Sequence, residues 1–312
     1  MAADDDDDGA FAWVLNLDAD VELAAIARGA GGYSPNRGVR EAMRAYVPRL
    51  AAALLDPERD VLVDEASPPG FARGKVGRAF CPTPRALRLL RRAGAEPEAH
   101  PECDVLVRVN ARYFASSLGT TLPGAIFVKR EVEAHAQLST SPPSELSTAW
   151  RVKRNFGMTG RGQRVVVPCR LSKEDLAFVR AGLAEGGIQI EPDVDIVEEL
   201  AIHGVLAAGG ALALGPVVKQ RSDARGAWVT SEPIPPEHAP PELRREAKHV
   251  ATALTAAGYF GPFGIDAYRY RLRRDAAGAA LADTPVALQP RSEINARFTM
   301  GFTVTWAHLR GR

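Results

Sequence analysis

A chain of 312 residues with 46% hydrophobic and 25% charged side chains can build two or three compact units with real cores, which excludes a wholly disordered protein. Its formal net charge of +1 includes five aspartates at Asp4–Asp8. Without them the body stands at +6, which suits a small anion such as a nucleotide and is too weak and scattered for nucleic acid. Three cysteines, Cys81, Cys103 and Cys169, show no zinc spacing and no disulfide framework, as expected of a reducing compartment. No apolar run approaches a membrane span and no signal peptide is visible, so the expectation is a cytoplasmic protein with no membrane partner.

Residues 1–9 are expected to be a disordered acidic tail. Phe11 to Leu17 reads as a buried strand, followed by a helix from Ala19 to Ala30 and a glycine-rich loop carrying Tyr33, Asn36 and Arg37. A helical pattern from Val39 to Leu55 contains Pro48 and should restart there. Asp60 to Asp64 is a strand and 67–70 a turn. Thr83 and Pro84 open a helix that Gly94 ends. Cys103 to Val109 alternates like a strand, which would put Arg108, Asn110 and Arg112 at its end, where open α/β sheets bind ligands. Strand–helix alternation therefore predicts a small open α/β sheet before residue 125. No phosphate-binding glycine fingerprint follows any of its strands.

From Ala125 the pattern changes. Strand 125–128 ends in Lys129 and Arg130, with a helix at 131–138 and a turn-forming connection at 139–147. Residues 149–167 form two β-like arms around Gly157, Gly160 and Gly162, a hairpin tip whose backbone N–H groups could approach an anion. Lys153 stands just before it. A helix at 171–185 has Ser172 as N-cap. Strand character runs from 188 to 202, interrupted by Glu198 and Glu199 before Leu200, and a hairpin at 205–219 ends in Lys219. After a turn at 222–226, strand 227–230 leads into a proline-rich connector at 233–241. A helix at 242–257, a strand at 261–271, a polar hairpin tip at 275–283 and a strand at 287–297 complete the chain.

That last strand, ALQPRSEINAR, carries the chemistry. Alternation would put Gln289, Arg291, Glu293, Asn295 and Arg297 on one face and Leu288, Ile294 and Ala296 on the other. A carboxylate and an amide oxygen two residues apart suit Mg2+, and arginines beside them suit phosphate or carboxylate. The same alternation describes any amphipathic strand with a wet face. The reversal from strand 261–271 makes the two strands antiparallel neighbours, so Asp266 could converge with Glu293 and Asn295. His203 and His308 show no partner and are read as structural.

Taken in order, Lys153, the three glycines, Glu198-Glu199, Lys219, Asp266 and Glu293-Ile294-Asn295-Ala296-Arg297 resemble the ATP-grasp superfamily over roughly residues 125–312, with D-alanine–D-alanine ligase, glutathione synthetase and biotin carboxylase as relatives. The resemblance implies an ATP-grasp fold of two α+β lobes (125–199 and 200–312) preceded by an α/β domain (10–124). It implies an ATP- and Mg2+- (or Mn2+-) dependent ligase joining a carboxylate to an amine or thiol through an acyl phosphate. A phosphotransferase or a non-catalytic nucleotide-binding protein is the alternative. By the same resemblance, Lys129, Lys153, Gly157, Gly160, Gly162, Glu198, Glu199, Leu200 and Lys219 would hold the nucleotide. Asp266, Glu293 and Asn295 would hold the metal, and Arg297, Arg291 and Lys219 would act on the substrate. Lys129 stands closer to the hairpin than the pattern's first lysine. The expected partners are small molecules, with a homodimer as the commonest assembly.

Overall fold

The computed structural model describes residues 9–158, 161–223, 228–273 and 285–310. The acidic run Asp4–Asp8, Gly160 and the hairpin tip expected at 275–283 lie outside the described residues. Within them the chain forms three sheets, and no helix is long and apolar enough to cross a membrane.

The first sheet is parallel, in the order β2-β1-β3-β4. Its core strand β1 (Phe11–Val14) is buried at all four positions, which explains its uninterrupted apolar run. Helices α1 (Ala19–Ala27), α2 (Arg37–Arg44) and α3 (Val47–Leu54) lead to β2 (Val61–Leu62). Asn36 caps α2, and Pro48 stands in the first turn of α3, where a missing N–H costs nothing. The chain then crosses β1 to form β3 (Val76–Ala79), α4 (Pro84–Arg92) and β4 (Glu96–Pro97). Strand β3 escapes a periodicity reading because Gly77 and Arg78 interrupt its apolar pattern. A Cβ at Gly77 would stand 3.1 Å from Leu90 and 3.2 Å from Pro97, so the close approach of strand and helix favours glycine there.

The segment Cys103–Val109 is a helix, α5, and not the expected strand. Leu106 and Val109, one helical turn apart, are both fully buried beside Leu23 of α1. This burial overrides the local β preference of valine. A short helix α6 (Arg112–Ser117) follows.

The second sheet has the order β5-β8-β6-β7. Its elements run β5 (Ile126–Val128), α7 (Glu131–Leu138), the hairpin β6 (Trp150–Met158) and β7 (Arg161–Val166), α8 (Lys173–Ala184) and β8 (Ile188–Pro192). Ser172 and Asp175 exchange side chain-to-backbone hydrogen bonds at the start of α8. The third sheet, order β11-β10-β9-β12-β13, is antiparallel throughout. It contains β9 (Asp195–Leu206), β10 (Leu212–Ser222), β11 (Trp228–Pro233), α9 (Pro241–Ala256), β12 (Gly261–Arg271) and β13 (Val286–Asn295), and α10 (Phe302–Arg310) follows it. The second sheet ends at Pro192 and the third begins at Asp195, so the expected boundary at 199/200 falls inside β9.

Two cores join the first and third sheets. One face of the third sheet, with Leu200, Ile202, Val217, Ile265 and Ile294, packs on Leu243, Ala247 and Val250 of α9 and on Leu23, Leu106 and Val109. At the other junction Trp13 and Phe80 meet Phe298 and Phe302. Trp13–Phe298 and Phe298–Phe302 centroids are 5.4 and 5.0 Å apart, a tilted and an edge-to-face contact that add about 0.5–1.5 kcal/mol each beyond area burial. His203 is fully buried near Thr305 Oγ1 (3.3 Å), and burial lowers its pKa to about 3.

Gly187, between α8 and β8, has φ +125°, and a Cβ there would meet Phe127 at 2.5 Å and the Val128 carbonyl at 2.8 Å. Gly187→Ala should cost about 2–4 kcal/mol by chemical denaturation, because backbone strain and clash add. Gly31→Ala, with nothing within 4 Å, should stay within about 0.5 kcal/mol of wild type.

Candidate active site

Strands β12 and β13 place Asp266 directly opposite Glu293 and Gly264 opposite Asn295. Asp266, Glu293 and Asn295 all line a cleft of about 560 Å³ where the three sheets meet. Asn295 Nδ2 donates to Asp266 Oδ2 at 2.9 Å and Gln220 Nε2 to Asp266 Oδ1 at 3.4 Å. Burial first, and the neighbouring Glu293 carboxylate second, push the Asp266 pKa up to about 7. Arg297, just beyond β13, bridges the first and third sheets. Its Nη1 donates to Asn295 Oδ1 and its Nη2 to Asp20 Oδ2 of α1, each at 2.5 Å. Burial raises the Asp20 pKa against the opposing pull of Arg297.

Arg291 does not share this face. Between the pairs Asp266/Glu293 and Tyr268/Gln289, β13 carries two more residues than β12. This bulge includes Pro290, which has no N–H for the ladder. Arg291 turns to the α9 side, where it pairs with Glu246 and donates to the Gly119 carbonyl at 2.5 Å.

The opposite wall comes from the second sheet. Lys153 is buried and its Nζ lies 2.5 Å from Glu191 Oε1. Gly157 and Gln163 line the cleft beside it, and Gly162 takes φ +85° at the start of β7.

Lys129, Glu198 and Lys219 stand outside the cleft, whereas Leu200 lines it although its side chain packs in the α9 core. The connection between the second and third sheets is 193–194, and Glu191, Pro192, Val194 and Ile196 around it line the cleft. Glu198 and Leu200 belong to the long strand β9, and alternation directs them to the α9 face. Glu198 pairs there with Lys219 and Arg269, both at 2.9 Å. The backbone of Leu200 sits in the ladder between Lys219 and Ala267, so it is not a free edge. Lys219 shares the α9 face with Val217 and is not a cleft lysine. Glu199 does face the cleft and accepts from Ser222 Oγ at 2.6 Å. Lys129 is exposed outside the cleft, its Nζ 3.6 Å from the Tyr113 ring centroid.

Arg112, expected at the ligand-binding end of a strand, stands instead on α6 beside Glu293. Its Nη2 donates to Glu293 Oε2 at 3.0 Å, while its buried Nε and Nη1 have no hydrogen-bond partner among the described residues. The spacing of Arg108, Asn110 and Arg112 was the available signal, but a strand misplaced it. On the helices Asn110 accepts from Ala296 N at 2.9 Å and so fixes the chain between Asn295 and Arg297. Tyr33 and Asn36 are structural: Tyr33 donates to Asp18 and Asn36 caps α2.

No family profile matches the sequence, and no curated protein matches it. Solved structures do match. One is N5-carboxyaminoimidazole ribonucleotide synthetase from Thermus thermophilus, at 17% identity and TM-score 0.50, covering 96% of this chain and 78% of that one. Rhizobium etli pyruvate carboxylase matches at 15% identity and TM-score 0.51, covering 96% of this chain and 27% of that one. The biotin carboxylase domain of Hydrogenobacter thermophilus 2-oxoglutarate carboxylase, crystallised with MgADP, ADP and bicarbonate, matches at 12% identity and TM-score 0.50, covering 93% of this chain and 65% of that one. The chain has the ATP-grasp fold.

Because Asp266 is held above its ordinary carboxylate value, the folded protein favours its protonated form. Without a cation, this group's contribution to stability is complete at low pH and is lost as pH rises through about 7. Saturating Mg2+ or Mn2+ should therefore raise the melting temperature more at alkaline than at acid pH, by about 2 °C or more in a thermal-shift series. Asp266→Asn should abolish that pH dependence.

Proposed function

We propose that the protein is an ATP- and Mg2+-dependent ligase that joins a carboxylate to an amine or thiol through an acyl phosphate. The observation that carries this reading is the direct opposition of Asp266 and Glu293, beside Asn295, across one cleft from Lys153 and the glycine hairpin. Two carboxylates and an amide form an all-oxygen donor set, and the charge that burial leaves uncompensated on Asp266 is what a hard cation would relieve. Asn295 Oδ1 would have to turn from Arg297 to join that set. When bound, the metal supplies charge neutralisation to phosphate oxygens. The MgADP in the 2-oxoglutarate carboxylase structure supports the same assignment.

In this reading Lys153 and Arg112 hold the phosphates. The two orphaned donors of Arg112 are otherwise an unexplained cost. The backbone at Gly157 and Gly162 covers the phosphates from above, and the base lies against 192–194. Arg297 faces the reacting carboxyl carbon and stabilises the oxyanion formed on attack. No side chain need act as a nucleophile, since phosphoryl and acyl transfer here depend on positioning, charge and exclusion of water. Lys129, Lys219, Glu198 and Arg291, which do not line the cleft, have no part in it.

Release of ADP should be screened with Mg2+ over amino acids and small carboxylates, singly and in pairs. A ligase requires both partners, whereas ADP release on one substrate alone marks phosphotransfer. Glu293→Gln should lower turnover on the order of a hundredfold or more. If that variant lost only Mg2+-dependent nucleotide affinity, and the wild type showed no turnover, the protein would be a binding module.

A further inference from the structure

The ligase reading leaves the acceptor open between an amine and a thiol. The end of the cleft built by the parallel sheet bears on that choice. The chain runs from β1 to β2 on one flank and returns to β3 on the other, so the C-terminal ends of β1 and β3 flank the crevice where open α/β sheets take ligands. Leu17, Asp20 and Phe80 line the cleft from there.

The neighbouring carboxylates are occupied within the parallel unit. Asp18 accepts from Tyr33 Oη at 3.0 Å and Arg85 Nη2 at 2.5 Å. Glu22 accepts from Thr83 Oγ1 at 2.7 Å and the Arg85 amide at 2.8 Å. Asp20 differs. It is 8% exposed and, among the described residues, hydrogen-bonded only to Arg297, just beyond β13, through Oδ2. Its Oδ1 receives no hydrogen bond among the described residues and opens on the cleft. The first turn of α1 offers no anion cradle, because the amides of Ala19, Val21 and Glu22 close on Asn16 and Asp18 carbonyls at 3.0, 3.0 and 3.2 Å. A phosphate on the acceptor would meet Asp20 unfavourably and a thiol would gain nothing from it. An ammonium group gains a charge-assisted hydrogen bond.

We propose that Asp20 Oδ1 holds the ammonium group of the acceptor, which is therefore an unphosphorylated primary amine with an apolar portion against Leu17 and Phe80. This rests on the ligase reading above. The ammonium sheds one proton to solvent, and the nitrogen lone pair forms the C–N bond at the acyl carbon. The C–O bond to phosphate breaks with its electron pair on the leaving phosphate, which takes a second nitrogen proton.

Hydroxylamine, uncharged at neutral pH, traps an acyl phosphate as a hydroxamate with no ammonium to recognise. The full chain and Asp20→Asn are compared with ATP, Mg2+ and a panel of small carboxylates, with each protein amino acid, 2-mercaptoethanol or hydroxylamine as acceptor. The variant should raise the KM for the amine by about tenfold or more, a larger loss than any fall in its hydroxamate yield. An unchanged amine KM overturns the proposal. So does a hydroxamate yield that falls in step with amide formation, since Asp20 would then only support Arg297. Wild-type preference for the thiol also overturns it, and in all three cases the ligase reading stands. A wild type that yields neither ADP nor hydroxamate overturns both.

Discussion

Two carboxylates facing each other across an antiparallel ladder are the constraint on which the rest of this structure turns. Asp266 and Glu293 occupy paired positions on β12 and β13, so backbone hydrogen bonds hold them in place. Burial first, and the facing Glu293 carboxylate second, raise the Asp266 pKa to about 7. The protein surrounds the pair with partial compensation: Asn295 on Asp266, Arg112 on Glu293, and Gln220 at longer reach. None of these neutralises the site fully. In the proposed ligase a bound cation would supply the missing neutralisation.

Around that corner the three sheets contribute different chemistry. The third supplies acids, the second supplies Lys153 and a glycine hairpin, and the parallel unit supplies Asp20 of α1 with Leu17 and Phe80. The Asp20–Arg297 bond and the aromatic cluster of Trp13, Phe80, Phe298 and Phe302 hold the parallel sheet against the third. The same contacts that fix the fold therefore set the width of the substrate end. The bulge at Pro290–Arg291 has a similar double effect, since it sends Arg291 to lock the chain at Gly119 and leaves the cleft face to Glu293 and Asn295.

Much of the local structure was legible in the sequence, and the misses have identifiable causes. Pro48, Thr83 and Ser172 mark their helix starts through capping chemistry that acts within a few residues. Cys103–Val109 was misread because valine-rich alternation carries no mark of the α1 surface it packs on. Asp266, Glu293 and Asn295 could be placed together because a local reversal joins their strands. Glu198 and Lys219 could not be placed, because which face of β9 and β10 meets the cleft depends on where α9 packs. Arg291 was lost to a bulge that a strict two-residue period cannot anticipate.

By itself, the sequence determined the strand and helix types with strong period or caps, the glycine hairpin, and an acid–amide pair on a strand joined locally to a second acid. Those rest on interactions between residues near in the chain. Only the tertiary structure decided which cations reach that corner, where the nucleotide-sized cleft lies, and that Asp20 and Arg297, at opposite ends of the chain, share a hydrogen bond. Such juxtapositions depend on how the sheets dock, and docking is set by the summed burial of many apolar side chains, none of which signals its distant partner.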